Sequence, residues 1–179
     1  MPSLKKGPLI GRENNNEWLN MNSISSDPVY TDEYIKSILF DVKTIAMVGA
    51  SSNWNRPSFF AMKYLLAKGY KVIPINPVAA GKKILGQLVY AKLEEMPIIV
   101  DMVDIFRKPE DAGNVTDEAI KYGASVVWMQ LGVVNEEAAG KAKSAGLRVV
   151  MNRCPKIEFS RLFGELSWHG FNSKTISSK

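Results

Sequence analysis

Between residues 49 and 58 the chain reads Gly49-Ala50-Ser51-Ser52-Asn53-Trp54-Asn55-Arg56-Pro57-Ser58, a set of residue types suited to an anionic ligand. Gly49 permits a sharp turn and a close approach of backbone to ligand. Ser51 and Ser52 offer hydroxyl donors, and Arg56 offers a planar fork that matches phosphate. Ser58 stands where a helix should begin, so first-turn amides would favour negative charge beside it. The same residues also suit an ordinary Ser/Asn-rich turn in which Ser58 is simply the helix N-cap. Donors and cations recur later in the chain as Asn76-Pro77, Phe106-Arg107-Lys108, Gln130 and Asn152-Arg153-Cys154.

Several chemistries are poorly served. The first loop has one glycine where a dinucleotide fingerprint has three. A nicotinamide site also wants an acid after the second strand to hold the ribose; Asn76-Pro77 fills that place, and only Lys82 and Lys83 lie near enough to read a ribose phosphate. There is no Gly-Lys-Ser/Thr phosphate loop, no Ser–His–acid set and no pair of carboxylates at a strand end. His169 and Cys154 are each the sole residue of their kind, too few for a standard zinc site. His169 reads as a surface or packing residue. Cys154 precedes Pro155, which suits a first helical position. The cysteine is expected to be a small, half-buried apolar residue; the competing reading is a thiol that Arg153 and a helix N-terminus make easy to ionise and that forms a mixed disulfide by exchange with an oxidised thiol ligand.

These loops need elements to hold them. From residue 43 onward, short apolar runs at 44–48, 71–75, 98–106, 125–131 and 147–151 alternate with helical patterns at 58–68, 109–122, 136–145 and 155–166, plus a short helix at 93–96 that Pro97 ends. A further helix is expected from Thr31 and Asp32 to Phe40. Nearly continuous apolar strands separated by helices predict an α/β fold: a doubly wound, five-stranded parallel Rossmann-like sheet, most simply in strand order 3-2-1-4-5. Trp128 and Met129 belong to its core. Ligands of such sheets bind beyond the carboxyl ends of the strands, which is where every loop named above falls. Phe106 is positioned either to cover an adenine or to cap the core, Trp54 either to stack on a base or to stay exposed. Gln130 is placed to bond the ligand or a neighbouring loop.

Length and composition agree with one domain. The 179 residues are 46% hydrophobic and 23% charged, with a net charge of +5. Residues 1–40 hold four Lys/Arg and five Asp/Glu, so no basic arm for nucleic acid is present. Residues 1–26, rich in Asn and Ser, are expected to form a loose N-terminal arm on a single domain at 27–179. A lone cysteine excludes an internal disulfide. With no apolar stretch near the roughly 18 residues a membrane helix needs, and no secretory pattern, a cytoplasmic protein is expected.

The motifs Val48-Gly49-Ala50-Ser51, Arg56-Pro57-Ser58, Gly69-Tyr70-Lys71-Val72-Ile73-Pro74-Ile75-Asn76-Pro77, Val103-Asp104-Ile105-Phe106-Arg107, Val127-Trp128-Met129-Gln130-Leu131-Gly132 and Val149-Val150-Met151-Asn152-Arg153-Cys154-Pro155 follow one another in order. Together they resemble the small stand-alone CoA-binding proteins, whose fold is similar to the CoA-binding domain of the succinyl-CoA synthetase alpha subunit. The resemblance runs from about Lys43 to Arg161. It implies a pyrophosphate on the Gly49–Ser51 turn with Arg56 and Ser58 nearby, and an adenosine across Asn76-Pro77 and Phe106-Arg107. The family pattern has Asp where Asn152 stands. The leading expectation is therefore a protein that binds CoA or an acyl-CoA without a self-contained catalytic site: a carrier, a sensor or a partner subunit, with a partner protein or a second copy as company. The alternatives are an enzyme component, an acyl-CoA ligase or transferase, and a nicotinamide-dependent reductase.

Overall fold

The structure, a computed structural model, describes residues 27–164. The expected arm at 1–26 and His169 lie outside the described residues. Seven strands, β1 Thr44–Val48, β2 Lys71–Ile75, β3 Lys83–Ile84, β4 Gln87–Leu88, β5 Met102–Ile105, β6 Val126–Met129 and β7 Arg148–Val150, are joined with five helices, α1 Asp32–Asp41, α2 Pro57–Ala67, α3 Pro109–Tyr122, α4 Glu136–Ser144 and α5 Pro155–Leu162. Five strands form one parallel sheet in the order β2-β1-β5-β6-β7. The expected Rossmann-like sheet is present, and all five expected strands are in it.

Alternation within each strand divides the core into two layers. Ala46, Ile73, Val103, Ile105, Val127 and Met129 face Ala112, Val115 and Ala119 of α3 and Ala138, Ala139 and Ala142 of α4. Ile45, Met47, Val72, Met102 and Trp128 face Ile35, Ile38 and Leu39 of α1 and Ala61, Met62 and Leu65 of α2, with Phe159 and Leu162 of α5 against them. Helix starts follow local chemistry: the Thr31 hydroxyl accepts from the Tyr34 amide at 3.2 Å, and the Asn135 side-chain Oδ1 accepts from the Ala138 amide at 2.9 Å. Among the described residues no helix is long and apolar enough to cross a membrane.

The strand order corrects one expectation. The third long strand, β5, does not lie outside β2; it pairs with the other side of β1. Two local features account for this. Residues 76–101 hold no α-helix to carry a further crossover outward, only single 3-10 turns at Pro77–Ala79 and Leu93–Glu95 and the antiparallel β3–β4 pair. Pro74 within β2 has no N–H for a second neighbour, and proline belongs on edge strands. β2 is therefore an edge. Its outer side is covered by Tyr90, whose amide donates to the Pro74 carbonyl at 3.1 Å and whose carbonyl accepts from the Asn76 amide at 2.9 Å. At the opposite edge the Tyr34 hydroxyl donates to the Val149 carbonyl at 3.2 Å and accepts from its amide at 3.0 Å, while the Tyr30 hydroxyl accepts from the Met151 amide at 2.8 Å.

Candidate functional site

From β1 the chain steps outward to β2, then returns to place β5 on the far side of β1. The carboxyl ends of β1 and β5 therefore flank the point where strand order reverses, and a crevice opens there. Gly49 ends β1 with φ +88°, and its amide donates to the Ile75 carbonyl at 2.9 Å. A Cβ at this position would lie 2.3 Å from the Phe106 carbonyl oxygen and 3.1 Å from Arg107 Cδ. The first loop and the loop after β5 thus touch through a place that only glycine can occupy.

The first loop is held largely by its own bonds. The Ser51 hydroxyl accepts from the Asn53 amide at 3.2 Å, the Asn53 side chain accepts from the Asn55 amide at 2.9 Å, and the Arg56 amide donates to the Asn53 carbonyl at 3.0 Å. Ala50 is fully buried, whereas Ser52 and Arg56 are exposed and Trp54 stands out at 66% exposure. Helix α2 starts one residue earlier than expected, with Arg56 as N-cap and Pro57 at its first position. Ser58 is consequently not the cap; it lies buried inside the first turn. Arg56 gives no side-chain cap, so the helix start keeps its positive character for an outside acceptor.

Asn76 is engaged at both ends. Its Nδ2 donates to the Ala50 carbonyl at 2.8 Å and its Oδ1 accepts from the Val78 amide at 3.0 Å. It braces the first loop from behind, with exposed Pro77 beginning the next turn. Asn76→Ala is expected to cost about 1–2 kcal/mol through these two bonds, read as a lower midpoint of urea unfolding.

The remaining expected residues do meet. Phe106, Arg107 and Gln130 line one cleft of about 520 Å³ together with Asn55, Pro57, Phe60, Cys154 and Ile157. A shallower hollow of about 380 Å³ continues past Arg107 to Lys108 and Pro109. Phe106 is half-buried against the α1/α2 layer. Arg107 is exposed and pairs with Asp111 one helical turn on, Nη2 to Oδ2 3.0 Å.

Beneath the cleft lies a residue that the motifs contained but did not single out. Asp104 is in register between Met47 and Trp128 at the centre of the sheet and is fully buried. Its Oδ1 accepts from Gln130 Nε2 at 2.8 Å; its Oδ2 has no partner among the described residues. Burial pushes its carboxyl up to about 7, with the Gln130 bond pulling weakly the other way. The available signal was an acid set inside the otherwise apolar run Met102-Val103-Asp104-Ile105.

Cys154 follows the packing reading and not the reactive one. It caps α5 ahead of Pro155, as the order Cys-Pro implies, but burial pushes its thiol up, not down. The Ile157 and Lys156 amides favour the thiolate, while the nearby charge of Asp104 opposes it. Arg153 gives no help, because its guanidinium turns to Asp27 Oδ2 at 3.3 Å and to the Asn152 and Pro28 carbonyls at 2.8 and 3.1 Å. An easily ionised thiol is therefore overturned, and the half-buried apolar reading describes this residue better. Asn152, with φ +52°, accepts from the Gly132 amide at 2.8 Å and donates to Asp27. An acid there would face the Asp27 carboxylate, so the amide suits this chain.

Residues 43–160 match the family model described as a CoA binding domain. The chain belongs to that family. This CoA binding domain is 37% identical over 123 residues to the uncharacterized protein YneT of Bacillus subtilis (strain 168), covering 69% of this chain and 90% of the relative. It superposes with a TM-score of 0.72 and 44% identity on a hypothetical protein from Pyrococcus horikoshii OT3, over 75% of this chain and 94% of that one. It is also similar, at 29% identity and a TM-score of 0.54, to a dinucleotide forming acetyl-coenzyme A synthetase from Ca. Korarchaeum cryptofilum solved with phosphate and ADP. That match spans 62% of this chain and 26% of the synthetase. Among the described residues of the CoA binding domain no group of three or more His, Cys, Asp or Glu is arranged to hold a metal.

Proposed function

We propose that this CoA binding domain holds CoA or an acyl-CoA and has no self-contained catalytic site, serving as a carrier, a sensor or a subunit that a partner chain completes. The reading rests most on the Gly49–Phe106 contact at the reversal of strand order, beside the cleft that Arg107 lines and the helix start that Arg56 leaves without a side-chain cap. In this reading the first-turn amides of α2 and the side chains of Arg56 and Arg107 neutralise the pyrophosphate. Ser51 and Ser52 add hydroxyls, and Asn76 keeps the loop in place from behind. Phe106 offers a face to the adenosine, and the arm of the ligand runs over Gln130 and Cys154. CoA itself would supply a thiol able to carry acyl groups.

Two observations weigh on the alternatives. The position of a ribose-holding acid is taken by Asn76, whose amide is already spent on the protein, which speaks against a nicotinamide. The match to part of an acetyl-coenzyme A synthetase favours, as a second reading, a component of an acyl-CoA ligase. Addition of candidate partner chains with acyl-CoA, ADP and inorganic phosphate, read as release of free CoA with formation of ATP, would reveal that activity.

Calorimetry with CoA, NADH and NADPH tests the main reading. CoA should bind and the nicotinamide nucleotides should not; the reverse order would overturn it. Arg56→Ala or Arg107→Ala each removes a charge-assisted contact worth about 1.5–3 kcal/mol, which weakens CoA binding roughly ten- to hundredfold. Arg148→Ala serves as control, because Arg148 starts β7 at the opposite end of the sheet and pairs with Asp41. Equal affinities in all three variants would remove the phosphate assignment.

A further inference from the structure

A carboxyl at the centre of a sheet is costly, and Asp104 has one oxygen without a partner. Such a group persists where it does something for its neighbours, and its neighbours line the cleft. Gln130 is 5% exposed, yet it lines the cleft. A glutamine amide has two N–H donors and a carbonyl acceptor, and unrestrained it can turn either end outward. Asp104 grips the nitrogen end at 2.8 Å. One N–H is thereby spent, and the second, on a residue that lines the cleft, is left without a partner among the described residues.

What surrounds that donor is apolar. Phe60, Ala61, Leu131, Val133 and Ile157 line the same cleft. Phe60 is 47% exposed and Leu131 42%, although a soluble domain could have buried both. A fixed donor among apolar side chains fits a carbonyl that carries a short hydrocarbon group. It fits a free thiol less well, since a thiol is a weak acceptor and brings no apolar surface. The other polar group here, Cys154, is 9% exposed, and burial keeps it as a thiol, so it is ill suited to exchange with a free CoA sulfur.

We infer that Asp104 is a positioning residue that orients the Gln130 amide toward the carbonyl of a short-chain acyl thioester, so that acyl-CoA and not free CoA is the preferred ligand. The inference rests on the CoA-binding reading above and names the form of the ligand within it.

The test is calorimetric titration of the full chain with CoA, acetyl-CoA and isobutyryl-CoA, read as the ratio of affinities. One hydrogen bond and one or two buried methyl groups predict thioesters bound about tenfold or more tightly than CoA. Asp104→Asn retains an acceptor for Gln130 and should keep that ratio, whereas Asp104→Leu and Gln130→Met should bring it close to one. Phe60→Ser should reduce the ratio for isobutyryl-CoA more than for acetyl-CoA. Should Asp104→Leu fail to fold, Gln130→Met decides alone. Equal binding of CoA and both thioesters by the parent would overturn the inference and leave the CoA-binding reading standing. An unchanged ratio in Gln130→Met would overturn it as well, and failure to bind any of the three compounds would end both readings.

Discussion

Asp104→Asn is expected to make the protein more stable than its parent at pH 8, by roughly 4 kcal/mol, and nearly equal to it at pH 3.5. Burial lifts the folded carboxyl from 3.8 to about 7, and each pH unit corresponds to about 1.4 kcal/mol. Below both values the group is neutral in either state and contributes no pH dependence. Between them the unfolded chain ionises while the folded chain keeps its proton, so parent stability falls as pH rises from about 4 to about 7. Above 7 the penalty is constant. Asp32 and Asp101 titrate the other way: Arg161 lowers Asp32, and for Asp101 the Lys43 and Thr44 donors outweigh burial. Their contributions lie at more acid pH and cancel in the difference between the two proteins. Urea midpoints measured from pH 4 to pH 8 give that difference directly. Parallel curves would mean that Asp104 does not hold its proton in the folded state.

The second large effect is expected at Gly49. Gly49→Ala should cost about 3 kcal/mol or more and abolish measurable CoA binding at concentrations that saturate the parent. Two costs add there. A left-handed backbone costs an L-residue about 1–2 kcal/mol, and forcing a methyl against a backbone oxygen at 2.3 Å adds about 1–3 kcal/mol of overpacking. Relief comes only from parting the loop after β1 from the loop after β5, which separates Arg56 from Arg107. Gly69→Ala is a matched comparison, because Gly69 has φ +89° and nothing within 4 Å of an added Cβ. It should lose only the backbone part and keep its ligand. Equal losses at the two positions would show that the close contact with Phe106 carries no energy.

The strands and helices were legible because each is a local periodicity, and the proline starts of α3 and α5 marked their beginnings. The order of the strands was not, since it depends on how 26 residues without an α-helix cross the sheet. Pro74 carried that information: a strand with a missing donor belongs at an edge. In the candidate site, Phe106, Arg107 and Gln130, singled out from three strand ends, line one cleft. The electrostatics escaped because they depend on residues far apart in sequence. Arg153 lies beside Cys154 in the chain, but Asp27, 126 positions away, takes its guanidinium. Asp104 acts on Gln130 across 26 positions, through a bond that no local pattern reports.

Tyrosine hydroxyls and a proline at the two borders of the sheet also bear on how copies of this chain can meet. Unpaired strand edges are templates on which a second sheet, or a misfolded neighbour, can grow. Here the β7 border has its Val149 amide and carbonyl and its Met151 amide already taken by Tyr34 and Tyr30. The β2 border is closed by Tyr90 and by the donor that Pro74 lacks. Sheet extension from one molecule into the next is thus blocked on both sides, which guards a concentrated solution against fibre growth. Among the described residues, the surfaces left for an assembly are the helices and the mouth of the cleft, where Phe60 and Leu131 already reach the surface.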